Sequence, residues 1–202
     1  MMKSAAASSL LLYCLSVAAC ASAPKPATST APPPSAPAAE ATAPPAANLP
    51  KPELIATDLP RATAAGHTFT APAGWTLFAD GSMRVLQGPE KDVKLALVDV
   101  AHAADAADAV KQAWAEFDPK FARPLHIAQD VPGRFGWESA RVFAYETSPN
   151  EKRSVVAVAR KKGAAYCVLL IDGADAAMEK RGSQINLIGG SLRPAGYSRE
   201  SF

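Results

Sequence analysis

The sequence predicts an α+β domain in which an antiparallel sheet of about six to eight strands is covered by two helices. Short segments of alternating or continuous apolar residues are typical of strands, and two longer segments with an apolar residue every three or four positions are typical of helices. They follow one another as strands, helix, strands, helix, which is the order expected of such a layered domain. The preceding residues differ in composition, so the domain is predicted to occupy residues 61–202.

Residues 1–19 are typical of a secretory signal peptide. Lys3 supplies the positive charge near the start, and the rest of the segment carries no charged residue. This apolar run is too short to cross a bilayer as a helix, which requires about 20 residues. Its end, Val17-Ala18-Ala19-Cys20, resembles the lipobox of bacterial lipoproteins, in which a branched apolar residue and two small residues precede an obligatory cysteine.

The resemblance to lipoproteins implies a lipid anchor on Cys20. In that class the cysteine sulfur carries diacylglycerol, the chain is cleaved before the cysteine, and the new amino group is acylated. One acyl chain alone binds a membrane only marginally, so several chains on one cysteine make the anchor durable. Ala21 and Ser22 follow the cysteine in place of Asp. The sorting pattern of the class therefore implies the outer membrane, with the protein facing the periplasm.

Residues 20–60 are predicted to form a disordered linker that begins at the lipidated cysteine. Eleven of the 18 prolines lie between Pro24 and Pro60, and Ala, Thr and Ser make up most of the remainder. Such a segment lacks the large apolar side chains that offset the entropy of ordering, and its prolines favour extended polyproline II structure. We expect a spacer that holds the domain away from the membrane.

Four strands are predicted in the first half of the domain: His67–Ala71, Thr76–Ala79, Met83–Leu86 and Val93–Val100. The dipeptide Asp80-Gly81 is typical of a type I′ turn and joins the second strand to the third as a hairpin. The fourth strand is a nearly continuous apolar run, as expected of a strand in the centre of a sheet.

A helix is predicted after these strands, with Asp105 as its N-terminal cap. Pro119 opposes its continuation, so we expect the helix to bend or to stop early. One apolar stripe runs along the segment: Val110, Trp114, Phe117 and Phe121.

Four more strands and a final helix are predicted in the second half. The strands are Leu125–Val131, Trp137–Thr147, Val155–Arg160 and Ala164–Asp172, separated by turns rich in Pro, Gly, Asn and Lys. The final helix is Asp175–Leu192, and Pro194 lies beyond its end. Its apolar face comprises Met178, Ile185, Ile188 and Leu192.

The start of the domain and the order of its elements resemble the PsbP-like superfamily. The segment Phe69-Thr70-Ala71-Pro72-Ala73-Gly74-Trp75 is similar to the apolar strand and Pro-x-Gly-Trp turn with which those domains begin, before a meander and the first helix. The resemblance covers residues 64–195. It implies the PsbP-like fold and an accessory, binding or scaffold role, although a fold alone does not determine function.

Four segments also look like the N-terminal region that precedes the catalytic domain in some bacterial serine hydrolases of the β-lactamase type. They are Ala71–Trp75, Leu97–Val100, Glu146–Arg153 and Ser191–Tyr197. Catalysis in those proteins lies in the downstream domain. The alternative interpretation is therefore an accessory domain of such a hydrolase, whose catalytic domain is absent from this chain.

No catalytic residue is predicted. A β-lactamase-type hydrolase needs a serine with a lysine three residues later, so that the amine reaches the hydroxyl. The match Ser22-Ala23-Pro24-Lys25 lies in the linker, where its prolines oppose the helix that the motif requires. Asp99 and Glu138 are interpreted as hydrogen-bonded or solvated carboxylates beside apolar strands. A cryptic enzyme with an unrecognised site is the competing interpretation.

No metal site and no cofactor are predicted. His67, His102 and His126 are far apart in the sequence and are expected to lie at the surface. Cys167 is the one thiol of the domain and is predicted to be a small buried hydrophobe. The tryptophans are expected to lie in the core rather than along a ligand groove: Trp75, Trp114 and Trp137.

Charged turns form the candidate partner surface: Glu151, Lys152, Arg153, Lys161 and Lys162. Hairpin tips are usually polar because their backbone meets water, so solvated loop ends are the alternative. The balance of 21 Lys+Arg against 19 Asp+Glu gives no reason to expect nucleic acid as a partner. The expected partners are the membrane, through the lipid anchor, and a serine hydrolase or another envelope protein. The sequence thus predicts a lipid-anchored, non-catalytic periplasmic binding or accessory domain.

Overall fold

The computed structural model describes residues 52–198, so the predicted signal peptide, Cys20 and most of the predicted linker lie outside the described residues. The strands are β1 (Glu53–Leu54), β2 (Leu59–Ala62), β3 (Thr68–Ala71), β4 (Thr76–Asp80), β5 (Met83–Gln87), β6 (Val93–Val100), β7 (Leu125–Pro132), β8 (Ser139–Tyr145), β9 (Arg153–Lys162) and β10 (Ala165–Ala174). The helices are α1 (Ala106–Phe117) and α2 (Asp175–Ser191). Neither helix is long and apolar enough to cross a membrane, and the same holds for all of residues 52–198.

Eight of the strands form one antiparallel sheet in the order β1-β4-β5-β6-β10-β9-β8-β7, while β2 and β3 pair separately. The two central strands, β6 and β10, pair over eight residues from Val93 to Val100. They are buried on both faces, which explains why their sequences are continuously apolar rather than alternating. The predicted fold class, a large antiparallel sheet with two helices, is confirmed.

Each face of the large sheet has its own hydrophobic layer. On one face α1 packs against alternate residues of the central strands; this layer includes Val98, Val110, Trp114, Val168 and Leu170. On the other face α2 and strand β3 pack against the intervening residues; this layer includes Phe69, Leu95, Leu169, Ile185 and Ile188. Period-two alternation thus distributes the residues of each strand between two cores.

Helix α1 begins and ends where its sequence predicts. The side chain of Asp105 accepts a hydrogen bond from the Asp108 N–H at 2.9 Å, which caps the first turn. The helix ends at Phe117, before Pro119. Phe121 lies beyond the helix, but its ring stacks on the Trp114 ring with a centroid separation of 3.8 Å. The predicted stripe therefore forms one contact surface, although its last member is not helical.

The β4–β5 turn differs by one residue from the prediction. Asp80 pairs with Met83, so the two loop residues are Gly81 and Ser82 rather than Asp80 and Gly81. Gly81 has a φ of 48°, and Ser82 is not among the residues with positive φ. A positive φ at the first loop position alone fits a type II′ turn and not the predicted type I′ turn.

The predicted boundary between linker and domain at residue 60 is wrong, because residues 53–60 take part in the fold. Strand β1 pairs with β4, and Pro60 lies in β2, opposite Thr70 of β3. Ile55 is only 1% exposed. Its backbone donates to the Trp75 carbonyl and accepts from the Gly74 N–H, both at 2.8 Å. One buried side chain and two backbone hydrogen bonds thus order a segment whose composition is typical of a linker.

Candidate functional site

The outer strands of the large sheet border a groove beside the end of α2. The helix contacts β3, β9 and β10, and it ends at Ser191. Beside the last turn of the helix, the face formed by β7, β8 and β9 borders a cavity of about 280 Å³, which we call the Arg160 groove. Its apolar walls are formed by Val131, Ala140, Val142, Val158, Gly189 and Gly190.

Strand register explains why these side chains share one face. Ala140 of β8 lies opposite Val131 of β7 on one side and opposite Arg160 of β9 on the other. Directly opposed residues in an antiparallel sheet project from the same face, so the three side chains form one row across the outer strands. Val142 and Val158 are opposed in the neighbouring row. The face formed by these strands is therefore apolar except where Arg160 enters it.

Arg160 is the polar residue that the sheet contributes to the groove. Its Nη1 donates to the Gly189 carbonyl at 2.8 Å, near the C-terminal end of α2, where a cation is favourable. Burial lowers the pKa of the Arg160 guanidinium, and the charge of Arg193 acts in the same direction. An arginine nevertheless remains charged at neutral pH. The groove thus contains a partly buried positive charge.

Aromatic and cationic residues form the rim of the groove. Phe135 is 53% exposed and has a φ of 56°, an unusual conformation for an aromatic residue. The Arg193 guanidinium lies 4.1 Å from the centre of the Phe135 ring and 5.8 Å from that of Tyr197, within the range of cation–π attraction. A Cβ at Gly136 would lie 2.5 Å from the Tyr197 ring, so only glycine allows this close packing. Arg134 also lines the groove.

A second polar cluster lies inside the domain and consists of His67, Asp99 and Cys167. Their ligand-type atoms all lie within 4.8 Å of one another. Oδ2 of Asp99 accepts from the Ala65 N–H at 2.6 Å, whereas Oδ1 is buried without a hydrogen-bond partner among the described residues. Nε2 of His67 lies 3.9 Å from Oδ1. Histidine, aspartate and cysteine are all zinc ligands, so the residue types of this cluster are those of a metal site.

The hydrogen bonding of His67 does not suit a metal ligand. Its Nδ1 accepts from the Ala195 N–H at 3.0 Å, so the proton of the neutral ring lies on Nε2. A ligating Nε2 must be free of that proton, and a ligating histidine normally donates through its other nitrogen. The Nε2–H instead faces the carboxylate of Asp99. This cluster fits a buried polar network that fastens the β2–β3 hairpin to the sheet, and it does not fit a metal centre.

The structure revises the expectations for several residues of the domain. His67 was expected at the surface, but this was wrong, since it is only 6% exposed and its ring packs 5.0 Å from that of Trp137. Asp99 and Glu138 are hydrogen-bonded carboxylates as predicted, and Glu138 accepts from the Gly163 N–H at 2.9 Å. Cys167 is buried as predicted, and burial raises the pKa of its thiol well above the ordinary value.

The three tryptophans are buried as predicted: Trp75, Trp114 and Trp137. Trp137 has a second role, because it also lines the Arg160 groove. Its Nε1 donates to the Leu192 carbonyl at 3.1 Å and so connects the groove to the end of α2. The sequence predicts burial in the core for the tryptophans, with a ligand groove as the alternative. The Trp137 ring is buried in the core and also lines the groove.

The predicted partner surface consists of two separate patches. Arg153 and Lys162 are the two ends of β9 and are therefore about 30 Å apart. In the first patch, Glu151 makes two hydrogen bonds of 3.0 Å to Arg123, and Arg153 pairs with Asp172 at 2.5 Å. These charges are thus largely satisfied within the domain. Lys152 and Lys162 are exposed, and Lys161 is partly buried.

Comparison with known proteins identifies a fold relative. A solution structure of cyanobacterial PsbP (CyanoP) from Synechocystis sp. PCC 6803 matches 69% of this chain and 94% of its own chain, with a TM-score of 0.50 and 14% sequence identity. This similarity shows that the domain has a PsbP-like fold, as predicted. No family model matches the sequence, and no curated protein matches it.

The groove was not predicted from the sequence. The sequence places Arg160 at the end of a strand beside a charged hairpin tip and Arg193 in the segment after the final helix, and it gives Phe135 no role. The available signal was a lone arginine on the inward face of an otherwise apolar strand, because Val158 and Arg160 are two residues apart and must share a face. The position of the helix end above that face is a tertiary feature with no local signature.

Proposed function

We propose that the protein is a lipid-anchored, non-catalytic accessory domain of the bacterial cell envelope that binds a ligand through the Arg160 groove. The observation that carries this proposal is the groove itself, an apolar concavity with a partly buried guanidinium at one end. Ligand sites are typically apolar concavities with few, well-placed polar groups. The PsbP-like fold supports an accessory role by analogy.

Anchoring in the envelope is supported by the sequence alone. The lipobox-like segment that ends at Cys20 follows an apolar signal, and a Pro-rich segment connects it to the domain. Such a spacer suits a domain that must reach a ligand or partner at some distance from a membrane. The proposed location is the periplasmic face of the outer membrane.

The anchor is tested by metabolic labelling with palmitate and by membrane fractionation. Cys20→Ala should abolish labelling and leave the protein uncleaved or in the soluble exported fraction. Cys14→Ala is the matched control, since it removes a cysteine from the same N-terminal region and should leave labelling unchanged. Labelling and sedimentation of the Cys20→Ala protein with membranes would disprove the lipoprotein assignment.

A non-catalytic role is supported by the state of the one thiol in the described domain and by the absence of a serine–lysine pair there. Cys167 is fully buried, and its raised thiol pKa leaves it protonated at neutral pH. Penicillin and fluorophosphonate probes report on a nucleophilic serine, and residues 52–198 contain no Ser-x-x-Lys pair, so the full chain should stay unlabelled by both. Stoichiometric labelling of the chain by either probe would show that it is an enzyme.

The resemblance to hydrolase N-terminal regions supports a second candidate function. In this alternative the domain packs beside a β-lactamase-type catalytic domain, in the same natural chain or in a separate one. Crosslinking in cells distinguishes the two functions. Recovery of a serine hydrolase favours the alternative, whereas crosslinks to unrelated envelope proteins favour an independent accessory domain.

A further inference from the structure

We propose that the Arg160 groove binds a small amphipathic carboxylate, in which the anionic end pairs with Arg160 and an apolar body fills the space between the outer strands and α2. This ligand class rests on the proposed function, because it concerns the same groove. Three features support it: an excess of positive charge, the unused donors of Arg160, and the apolar walls.

The groove carries more positive charge than the surrounding residues neutralise. Arg134 and Arg160 line it, and Arg193 lies at its rim. Within residues 52–198, none of these three guanidinium groups forms an ion pair. Of the nearby acidic side chains, Asp130 lies 3.6 Å from Arg141, and Glu138 accepts from a backbone N–H. Asp99, two strands away from Arg160 in the same cross-strand row, accepts from the Ala65 N–H and forms no ion pair with Arg160. The positive charge of these guanidinium groups therefore favours an anionic ligand.

Arg160 has donors to offer that anion. A guanidinium has five N–H donors in a planar fork, and in the described part of the chain one hydrogen bond, from Nη1 to Gly189, uses them. A charge that is removed from water without a counter-charge is unfavourable, so an anion that enters the groove relieves this cost. A carboxylate matches the fork in a bidentate geometry, which is the strongest arrangement available to arginine.

The walls of the groove favour an apolar body for the part of the ligand beyond its carboxylate. Valine and alanine side chains and the glycines of α2 offer apolar surface to the ligand body. Inorganic phosphate would leave this apolar surface exposed to water. A neutral apolar molecule would leave the guanidinium unpaired. The volume of about 280 Å³ lies near the lower limit for ligand pockets, which favours a small monocarboxylate over a whole lipid.

Two glycines of α2 provide a matched test of the groove. A Cβ at Gly190 or at Gly182 would have no atom within 4 Å, so both positions accept a larger side chain. Gly190 lines the groove, and Gly182 is not among the lining residues. Leucine favours helix over glycine at either site, so neither substitution should unfold the protein. Gly190→Leu should fill the groove, whereas Gly182→Leu should leave it open.

The experiment is isothermal titration of the full chain, purified as Cys20→Ala, with sodium octanoate. Octanol and inorganic phosphate serve as probes that lack the charge and the apolar body, respectively. We expect saturable octanoate binding that is at least tenfold tighter than binding of either control probe. Arg160→Gln should weaken octanoate binding about tenfold or more, because a charge-assisted bidentate contact is lost. Gly190→Leu should abolish binding, and Gly182→Leu should bind as the parent does.

Three results would overturn the inference. They are the absence of octanoate binding, equal affinity for octanol and octanoate, and equal octanoate binding by the two glycine variants. Because Gly190→Leu leaves Arg160 in place, it tests the site even if Arg160→Gln destabilises the fold. None of these results affects the anchor, which the palmitate experiment tests separately. Failure of the ligand assignment is thus distinguishable from failure of the lipid-anchored part of the proposed function.

Discussion

Replacement of Trp114 by alanine tests the α1 side of the core. Trp114 is 4% exposed, its ring stacks on Phe121, and its Nε1 donates to the Tyr145 hydroxyl at 3.1 Å. Truncation of a buried tryptophan to alanine costs about 3–5 kcal/mol. The upper part of this range is expected here, because the substitution also removes an aromatic stack worth about 0.5–1.5 kcal/mol and the partner of a half-buried hydroxyl.

The free energy of unfolding can be measured by urea titration with fluorescence detection, because Trp75 and Trp137 remain as probes. Trp114→Phe should cost about 1–2 kcal/mol, since it retains an aromatic ring and loses the hydrogen bond of the indole. Leu125→Ala is the exposed control, because Leu125 is 50% exposed. It should change stability by no more than about 0.5 kcal/mol. A Trp114→Ala protein within about 0.5 kcal/mol of the parent would refute this assignment of the core.

Three further predictions concern buried groups and the start of the domain. Burial lowers the pKa of His67, with the charge of Asp99 opposing in part. The unfolded chain therefore binds a proton at higher pH than the folded domain, and stability should fall as the pH drops below about 6.5. In urea titrations between pH 5 and 7.5, His67→Gln should remove this pH dependence of the free energy of unfolding, whereas His126→Gln, at an exposed position, should retain it. Equal slopes of that free energy against pH for the two variants would contradict the prediction. Because Cys167 is buried, its thiol should react with iodoacetamide in urea but not in the native protein, as followed by mass spectrometry. Rapid alkylation of the native protein would show that the thiol is accessible. Removal of residues 52–63 should lower the free energy of unfolding by at least about 2 kcal/mol, since it removes a buried isoleucine and two strands. Thermal or urea unfolding measures this change. An unchanged unfolding midpoint would show that the segment does not contribute to the domain.

The parts of the fold that the sequence predicted are those with strong local patterns. Strands β6 and β10 are long and almost entirely apolar, and α1 has an aspartate cap and a single stripe. Such patterns specify both the type of element and the face that is buried. For the same reason, seven of the eight strands of the large sheet and the two helices could be predicted without tertiary information, whereas β3, also predicted as a strand, pairs with β2 outside that sheet.

The start of the domain could not be predicted in this way. Strand β1 is two residues long, and β2 contains Pro60, which is disfavoured within a sheet. Pro60 is tolerated because β2 pairs with β3 alone and so has a free side. Burial of Ile55 adds the contacts that order the segment. Proline content is a property of composition, whereas these contacts depend on the position of the turn at Gly74.

The polar sites depend on contacts between distant parts of the chain. Asp99 hydrogen-bonds to Ala65, which lies 34 residues earlier, and His67 hydrogen-bonds to Ala195, which lies 128 residues later. The Arg160 groove likewise depends on where α2 ends above the outer strands. An isolated histidine or arginine in the sequence gives no sign of such partners, so these sites require the three-dimensional structure.

The central claim, that the domain binds a ligand in the Arg160 groove, is tested most directly by mapping the binding site in solution. Octanoate would be titrated into the isotope-labelled full chain, purified as Cys20→Ala, and backbone amide shifts would be followed by NMR. The account predicts that the largest saturable shifts occur at Val131, Ala140, Arg160, Gly189 and Gly190, and that Gly190→Leu removes them. Shifts centred on the α1 face, or no saturable shifts, would contradict it.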